Sequence, residues 1–445
     1  MKNKYIKLCF IVHLTIFSLM WVGCEKQWLE AKPNKAIISP STVMDFQSIL
    51  DNSAIMNQSY PNLSEVASDD FTVSYADWQA GIKPERNAYI WNTQDLYEGR
   101  FGELEVAYKR ILTANVVIRG IERVDRQMDS SGWDQVLGSA LFFRGMEFFN
   151  LSQQYVVPYL PENKDKPSQL LLPLAPELTK LAAIVTVGEL YTQIVTDLKS
   201  AIALLPEKQL YLTRPSKAAV HALLARVFLV MGDYNQALLH SQAALDLEQR
   251  LLDYNTLNMS TAYKIPQLNV EVLFQASITT YTLLELARKT VNIELYNLYD
   301  DNDLRKKVYF YDLSGKKVFT GSYLNSEYNV FGGLATDEMY LIKSECLARA
   351  NKTEEAMAVI NALLRQRWKT GTFVSFVAND PEQALSFILL ERRKELVFRN
   401  LRWSDLRRLN ADPRFSAVLS RTLNGITYKL EPNSNGYTFP IPVNQ

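Results

Sequence analysis

His221–Leu245 reads HALLARVFLVMGDYNQALLHSQAAL, with apolar and small residues recurring at three- and four-residue spacing on either side of Gly232-Asp233. That is the pattern of two helices folded back on one another. Leu224, Ala225, Phe228, Gly232, Tyr234, Ala237 and Ala244 fall at the positions of a helix-turn-helix repeat, whose small residues let the two backbones approach closely. Upstream, Leu198, Ala201 and Pro206 fit the second helix and closing proline of a preceding unit. Downstream, Tyr340 to Arg367 gives a looser third unit, with Leu347, the Asn351-Lys352 turn and Ala356 in register. Further out, Leu104, Ala107, Tyr108, Ile111 and Leu112, then Leu137, Phe142, Phe149 and Tyr155, predict another antiparallel pair, broken at Asp129-Ser130-Ser131-Gly132 and finished before Pro158.

These units resemble tetratricopeptide repeats, but they are not tandem. Between Gln249 and Glu338 lies a stretch rich in Tyr, Asn and Asp, with strand-like pieces at Val272–Ala276 and Lys307–Thr320 and no helical period after Leu298. Insertions of that kind on a rigid frame are where specificity tends to sit. The region from Ala31 to Asn92 carries Pro33, Pro40, Pro61 and Pro84 and predicts one short amphipathic helix, Ser41 to Leu50, capped by Ser41 or Thr42. In the tail, Pro432-Asn433-Ser434-Asn435-Gly436 separates Ile426–Leu430 from Tyr437–Ile441, which reads as a hairpin with a long loop.

Lys2, Lys4 and Lys7 precede an apolar run from Leu8 to Val22 that ends in Gly23-Cys24, the plan of an export signal. His13, Thr15 and Ser18 interrupt the run. It falls short of the roughly twenty apolar residues that span a bilayer, so a removable signal is expected over a permanent helix. Gly23-Cys24 resembles a bacterial lipobox, with Trp21 where an aliphatic residue is usual; acylation of Cys24 is expected over simple secretion.

The chain has 445 residues, 47% of them hydrophobic, and 48 basic against 48 acidic side chains. There is ample material for a core, and no net field to favour nucleic acid or an anionic membrane surface. Of three cysteines, Cys9 lies in the signal and Cys24 is the expected anchor, leaving Cys346 without an intrachain partner; stability must then come from packing. After the signal only His221 and His240 remain, both at repeat positions and neither in a metal-binding spacing, so no metal and no cofactor is expected.

Four segments together resemble the SusD/RagB family across nearly all of the chain after the signal. In WLEAKPNKAIISPSTVMDFQSILDN, Leu29, Pro33, Pro40, Thr42 and Asp45 match the family's opening. The helix with Gly138, Phe143, Arg144, Phe148 and Phe149, running to Tyr155 and Pro158, is similar to its arginine-and-aromatic helix, with Gly145 where alanine is usual. VGELYTQIVTDLKSAIALLPE resembles its central core. Most specific is ERRKELVFRNLRWSDLRRL, Glu391 to Leu409, followed by Phe439-Pro440-Ile441-Pro442; Asn400-Leu401 stands where Gly-His is common, and the tail stops three residues after the last proline.

The resemblance implies a mostly α fold: tetratricopeptide-like hairpins forming a right-handed superhelical scaffold, with long loop and short-strand insertions. It implies a signal peptide over 1–23 and a single domain over 24–445. Within that domain it implies a loop-rich segment over 24–100, helical scaffold over 101–250 and 336–410, a ligand-side insertion over 251–335 and a C-terminal hairpin over 411–445. It also implies a non-catalytic, surface-exposed lipoprotein of the outer membrane that partners a SusC-like TonB-dependent transporter in Bacteroidota-type bacteria. Such a pair takes up oligosaccharides, or peptides in the RagB branch, and no nucleic acid. A tetratricopeptide scaffold that docks only proteins is the alternative, and it has no need of aromatic-rich insertions.

A sugar ring stacks its C–H face on an aromatic ring, while its hydroxyls need amide or charged partners. Trp78, Trp91 and Asn92, with Tyr75, Asp77 and Tyr89, gather in a polar, proline-containing segment where the resemblance implies glycan-binding tryptophans. Tyr296, Tyr299, Tyr323 and Tyr328 form a second set in the insertion. Each ring could instead simply pack its loop. Trp403 and its arginines read as structural, with Arg402, Asp405 and Arg408 satisfying one another or backbone carbonyls, and the run Glu391–Glu395 as a solvated face or an ion-pair network. Asp69-Asp70 does not make a glycosidase pair, because adjacent side chains point apart.

Overall fold

The computed structural model describes residues 40–99, 101–176 and 183–442. Cys24 and the signal therefore lie outside the described residues.

The chain enters through α1 (Val43–Leu50), whose Thr42 cap accepts from Asp45 N–H while the Asp45 carboxylate accepts from the Thr42 backbone. The segment that follows holds more helix than its prolines predict: α2 (Ser53–Met56), α3 (Leu63–Ala67), α4 (Tyr75–Ala80) and α5 (Lys83–Tyr89), with β1 (Phe71–Thr72) between α3 and α4. Each is too short to show a helical period, and Pro84 opens α5 instead of breaking it.

The scaffold begins with α6 (Gly102–Ile121) and α7 (Ser130–Tyr155), the latter capped by Asp129, so Ser130-Ser131-Gly132 belongs to the helix and not to the break. After the ladder of β2 (Pro167–Leu171) and β3 (Ile184–Thr186) come α8 (Val187–Leu204), α9 (Lys217–Met231) and α10 (Tyr234–Leu247). Consecutive helices pack side by side. A Cβ on Gly138 of α7 would lie 2.9 Å from Leu204 Cβ and Leu205 Cγ, so glycine sets how closely α8 approaches. Arg144 of α7 grips Asp197 of α8 through two 2.7 Å bonds.

The insertion contains β4 (Val272–Phe274), β5 (Ser277–Ile278), β6 (Thr290–Val291), α11 (Ile293–Asn297), α12 (Arg305–Val308), β7 (Phe310–Leu313), β8 (Lys316–Phe319), β9 (Val330–Phe331) and β10 (Leu334–Ala335). Its strands make two-stranded antiparallel ladders: β4 with β10, β5 with β9, β7 with β8, and β6 with β1 of the N-terminal segment. The helical stack then resumes with α13 (Thr336–Arg349), which packs on α10 as though the insertion were absent, and continues through α14 (Thr353–Arg365) and α15 (Pro381–Glu395). Arg226 of α9 bonds Glu338 of α13 at 2.9 and 2.6 Å, closing the gap with a buried pair.

α16 (Arg402–Leu409) carries Trp403 into the core, where its ring meets Tyr437 at 4.9 Å and Phe439 at 5.8 Å. Arg408 holds Asp405, as the sequence suggests, and Arg392 joins it, but Arg402 reaches across to Asp69 at 2.7 Å. The tail hairpin is not the predicted one. β11 (Leu419–Leu423) pairs with β12 (Ile426–Leu430) around Asn424-Gly425, both at positive φ, and 437–441 forms no strand. Those backbone angles suit a tight two-residue turn whose twist matches the flanking strands.

Glu391–Glu395 is not a solvated face. Arg305, fully buried, bonds Asp303, Glu391 and Glu395, and Arg367 joins Glu395 to Glu271, so the run is the centre of an interior ionic lattice.

Candidate functional site

Two short helices build the exposed part of the candidate site. Ser74 caps α4, accepting from Asp77 N–H and donating to its carboxylate at 2.6 Å. This fixes the first turn, on which Tyr75 and Trp78, three residues apart, share a face. Their rings stack with centroids 5.6 Å apart and planes 23° from parallel, and Tyr75 is 40% exposed. The Trp78 indole N–H donates to Arg86 O at 3.0 Å, the Arg86 guanidinium lies 6.0 Å from the indole and donates to Gln79 O, and α5 is thereby tied to α4. The turn between the helices lies against the insertion: a Cβ on Gly81 would sit 3.0 Å from Leu283.

The insertion also supplies charge. Arg288 lies 3.7 Å and Lys316 3.9 Å from the Asp77 carboxylate. Arg86, Arg288 and Lys316 had no place in the sequence reading of this site. Pro84 was a local signal for α5, but nothing local connects Arg288 or Lys316 with Asp77, because the β1–β6 ladder brings them together from segments far apart in the chain. The result is a stacked aromatic pair rimmed by one carboxylate and three cations, fit to cover a sugar face and bond its hydroxyls.

Other candidates fall elsewhere. Tyr89 and Trp91 are interior groups, Trp91 only 7% exposed, and the expectation that they contact ligand is corrected by their packing. The Trp91 indole N–H donates to Ala67 O at 2.9 Å, and Tyr89 OH accepts from Val73 N–H at 3.2 Å. Arg421 lies over both rings, at 4.7 and 3.8 Å, and donates to the carbonyls of Val66, Ala67, Ser68 and Tyr89; burial with no paired carboxylate pushes it down to about 10. Asn92 stays exposed on the turn that follows.

In the insertion, Tyr323 is 1% exposed and donates to Glu271 and Asp337, with Arg399 4.0 Å over its ring, so it too is corrected to a structural role. Burial lifts its phenol well above the ordinary value. Tyr299 is equally buried, its hydroxyl on Lys394 O at 2.7 Å, whereas Tyr328 is exposed. Tyr296 is half-buried, packed edge-on to Phe310, with Lys306 and Lys317 5.4 and 5.2 Å from its ring. Lys316 reaches Asp77 and its neighbour Lys317 reaches Tyr296; successive strand residues point to opposite faces, so Tyr296 does not extend the Tyr75–Trp78 surface.

Nothing in this arrangement is set up for bond cleavage. Burial works to raise Asp69, but Arg402 and Arg393 outweigh it and hold the carboxyl well below its usual range; Asp70, raised by burial, bonds Arg393 at 3.3 Å. Among the described residues no three His, Cys, Asp or Glu side chains gather to hold a metal, and no helix is long and apolar enough to cross a membrane.

Comparison with known proteins gives a consistent result. Residues 27–229 match a family described as starch-binding and associating with the outer membrane, and residues 336–442 match the SusD family. The SusD-like protein P2 of Formosa agariphila is 24% identical over 92% of this chain and 91% of its own length. A SusD superfamily protein of Bacteroides thetaiotaomicron superposes with a TM-score of 0.73 at 20% identity, covering 90% of this chain and 96% of that one. A SusD-like carbohydrate binding protein of Bacteroides vulgatus does so with a TM-score of 0.64 at 17% identity, covering 90% and 95%. The mostly helical fold with short strand insertions is that of these structures.

Proposed function

This chain belongs to the SusD/RagB family, and from that premise we propose that it captures a glycan at the cell surface on the Tyr75–Trp78 platform and hands it to a SusC-like TonB-dependent transporter. Members of the family are binding proteins without catalytic activity. In this reading residues 1–23 are removed, and Cys24 carries the acyl chains that hold the protein on the outer membrane.

The observation that carries the proposal is the stacked ring pair, exposed Tyr75 on half-buried Trp78, with Asp77, Arg86, Arg288 and Lys316 around it. An aromatic face covers sugar C–H bonds while the charged rim takes hydroxyls, a division of labour that peptide capture does not require. Calorimetric titration against neutral oligosaccharides and against peptides tests it. Binding of an oligosaccharide is expected, and Trp78→Ala should weaken it by tenfold or more, about 1.4 kcal/mol, measured at a temperature where the variant is fully folded. Unchanged affinity in Trp78→Ala and Tyr75→Ala, or binding of peptides alone, would defeat the glycan reading. For the anchor, Cys24→Ser should move the protein from the membrane fraction into the soluble one.

A further inference from the structure

Away from the aromatic platform, a cavity of about 270 Å³ opens where the chain leaving α7 meets the α9–α10 turn and α16. Pro158, Met231 and Ala411 give it apolar wall, and two tyrosines, Tyr159 and Tyr234, border it. Contacts of their own fix both rings: Tyr159 lies 4.7 Å from Tyr191 with Lys164 5.3 Å from its ring, and the Arg349 guanidinium sits 4.4 Å over Tyr234. Each tyrosine is half-buried, and neither hydroxyl has a hydrogen-bond partner among the described residues. Two buried side chains complete the wall. Gln153, 8% exposed, spends its amide N–H groups on Ser152 Oγ at 2.9 Å and the Tyr191 hydroxyl at 3.0 Å, which fixes its orientation and leaves Oε1 unbonded among the described residues. Ser404, 7% exposed, has no side-chain hydrogen bond among them either. Both oxygens keep contact with the surface, unlike the indole nitrogen of neighbouring Trp403, which is fully enclosed.

Largely buried polar groups almost always find partners, and four hydroxyl or amide oxygens around one cavity find none in the protein. The wall offers no free charge. No carboxylate lines it, and its two arginines are committed: Arg408 to Glu345 and Asp405, Arg407 to the carbonyls of Ser152, Gln153 and Val156. An occupant must therefore present an apolar face to the tyrosines and Met231, several hydroxyls to the oxygens, and no net charge. A sugar ring meets all three demands. About 270 Å³ lies below the range of pockets for larger ligands, which limits the occupant to about one ring.

We infer that this cavity is a second carbohydrate site, which takes a single neutral sugar unit against Tyr159 and Tyr234, with its hydroxyls on Gln153 Oε1, Ser404 Oγ and the two phenols. It shares no residue with the Tyr75–Trp78 platform. The full mature protein is titrated with D-glucose, D-galactose, D-mannose and D-glucuronate, with binding read by saturation-transfer NMR. At least one neutral sugar should bind with a Kd of about 1 mM. Glucuronate, whose carboxylate would lose water and meet no free cation, should bind at least about tenfold more weakly. Trp78→Ala, at a temperature where it is folded, should leave the monosaccharide affinity unchanged.

Tyr234→Phe keeps the ring under Arg349, removes one hydroxyl and should weaken the sugar about fivefold. Ala411→Phe, at an exposed position on the rim, fills the cavity and should abolish binding. Should that variant not fold, Tyr234→Phe decides. No binding of any of the three neutral sugars, glucuronate bound as tightly as they are, unaltered affinity in Tyr234→Phe, or loss of monosaccharide binding in Trp78→Ala overturns the site. A protein that takes oligosaccharide through Trp78 but ignores every monosaccharide sinks this inference and leaves the platform standing.

Discussion

Glu103 is a carboxyl kept inside the protein, where its oxygens accept from Asn62 N–H, Leu63 N–H and Tyr155 OH. Burial pushes it up to about 7, against an ordinary value near 4.5. The folded state therefore holds a proton between those two values that the unfolded chain has released. The associated stability is complete below the unfolded value and is lost as pH rises through the folded one. Glu103→Gln, which keeps the acceptor and removes the titration, is expected to be more stable than the parent by about 1–3 kcal/mol at pH 8 and equal to it below pH 4.5, as read from thermal melts. At this scale the sequence was least legible. Trp91, Tyr89 and Tyr323 lie in segments without periodicity, and their burial depends on Ala67 O, Arg421 and Glu271, partners that only the folded chain brings near. Trp78 differs from Trp91 in one respect visible only in three dimensions: its indole N–H is satisfied locally by Arg86 O, which leaves the ring near the surface.

Helices long enough to repeat their pattern were legible, because three- and four-residue spacing reports directly on a buried stripe. The units around His221–Leu245 and Tyr340–Arg367 form as α9–α10 and α13–α14. Gly138 tests how tightly such helices are packed. Gly138→Ala would push a methyl into Leu204 and Leu205 and should lower stability by about 1–3 kcal/mol in urea unfolding, despite alanine's better helix propensity. Within the repeat unit, His221 Nδ1 and His240 Nδ1 lie 2.9 Å apart, which requires at least one neutral ring. Burial lowers both, His240 to about 4, with Lys217 and Lys199 adding to the effect. Depressed values mean stability that is present above about pH 6.5 and lost as pH falls towards 4. His240→Phe, which keeps a ring against Phe228, should flatten the acid limb of the stability profile over that window; an unchanged limb would show that the pair does not control it. The tail hairpin was misread for a local reason. Asn424-Gly425 is a strong two-residue turn signal, yet the longer run Pro432–Gly436 drew the turn to itself.

Across the whole molecule, the repeat frame is interrupted by the insertion and resumed, and buried charges make the join. Glu271, Asp303 and Arg305 come from the insertion, Arg367 from the turn just after α14, and Glu391 and Glu395 from α15. Arg367→Met would leave Glu271 in the interior without a cation and Glu395 with Arg305 alone, and is expected to cost about 3–5 kcal/mol in equilibrium unfolding, far more than loss of an exposed pair such as Arg126–Asp134. The charge run itself was visible in the sequence; whether it faced solvent or core was not, because its partners lie in distant segments. Counter-ions in the surrounding medium reach exposed charges readily but scarcely enter a protein's interior. A body riveted in this way should keep its melting temperature nearly constant from dilute buffer to strong brine, even as attractions at its rim fade.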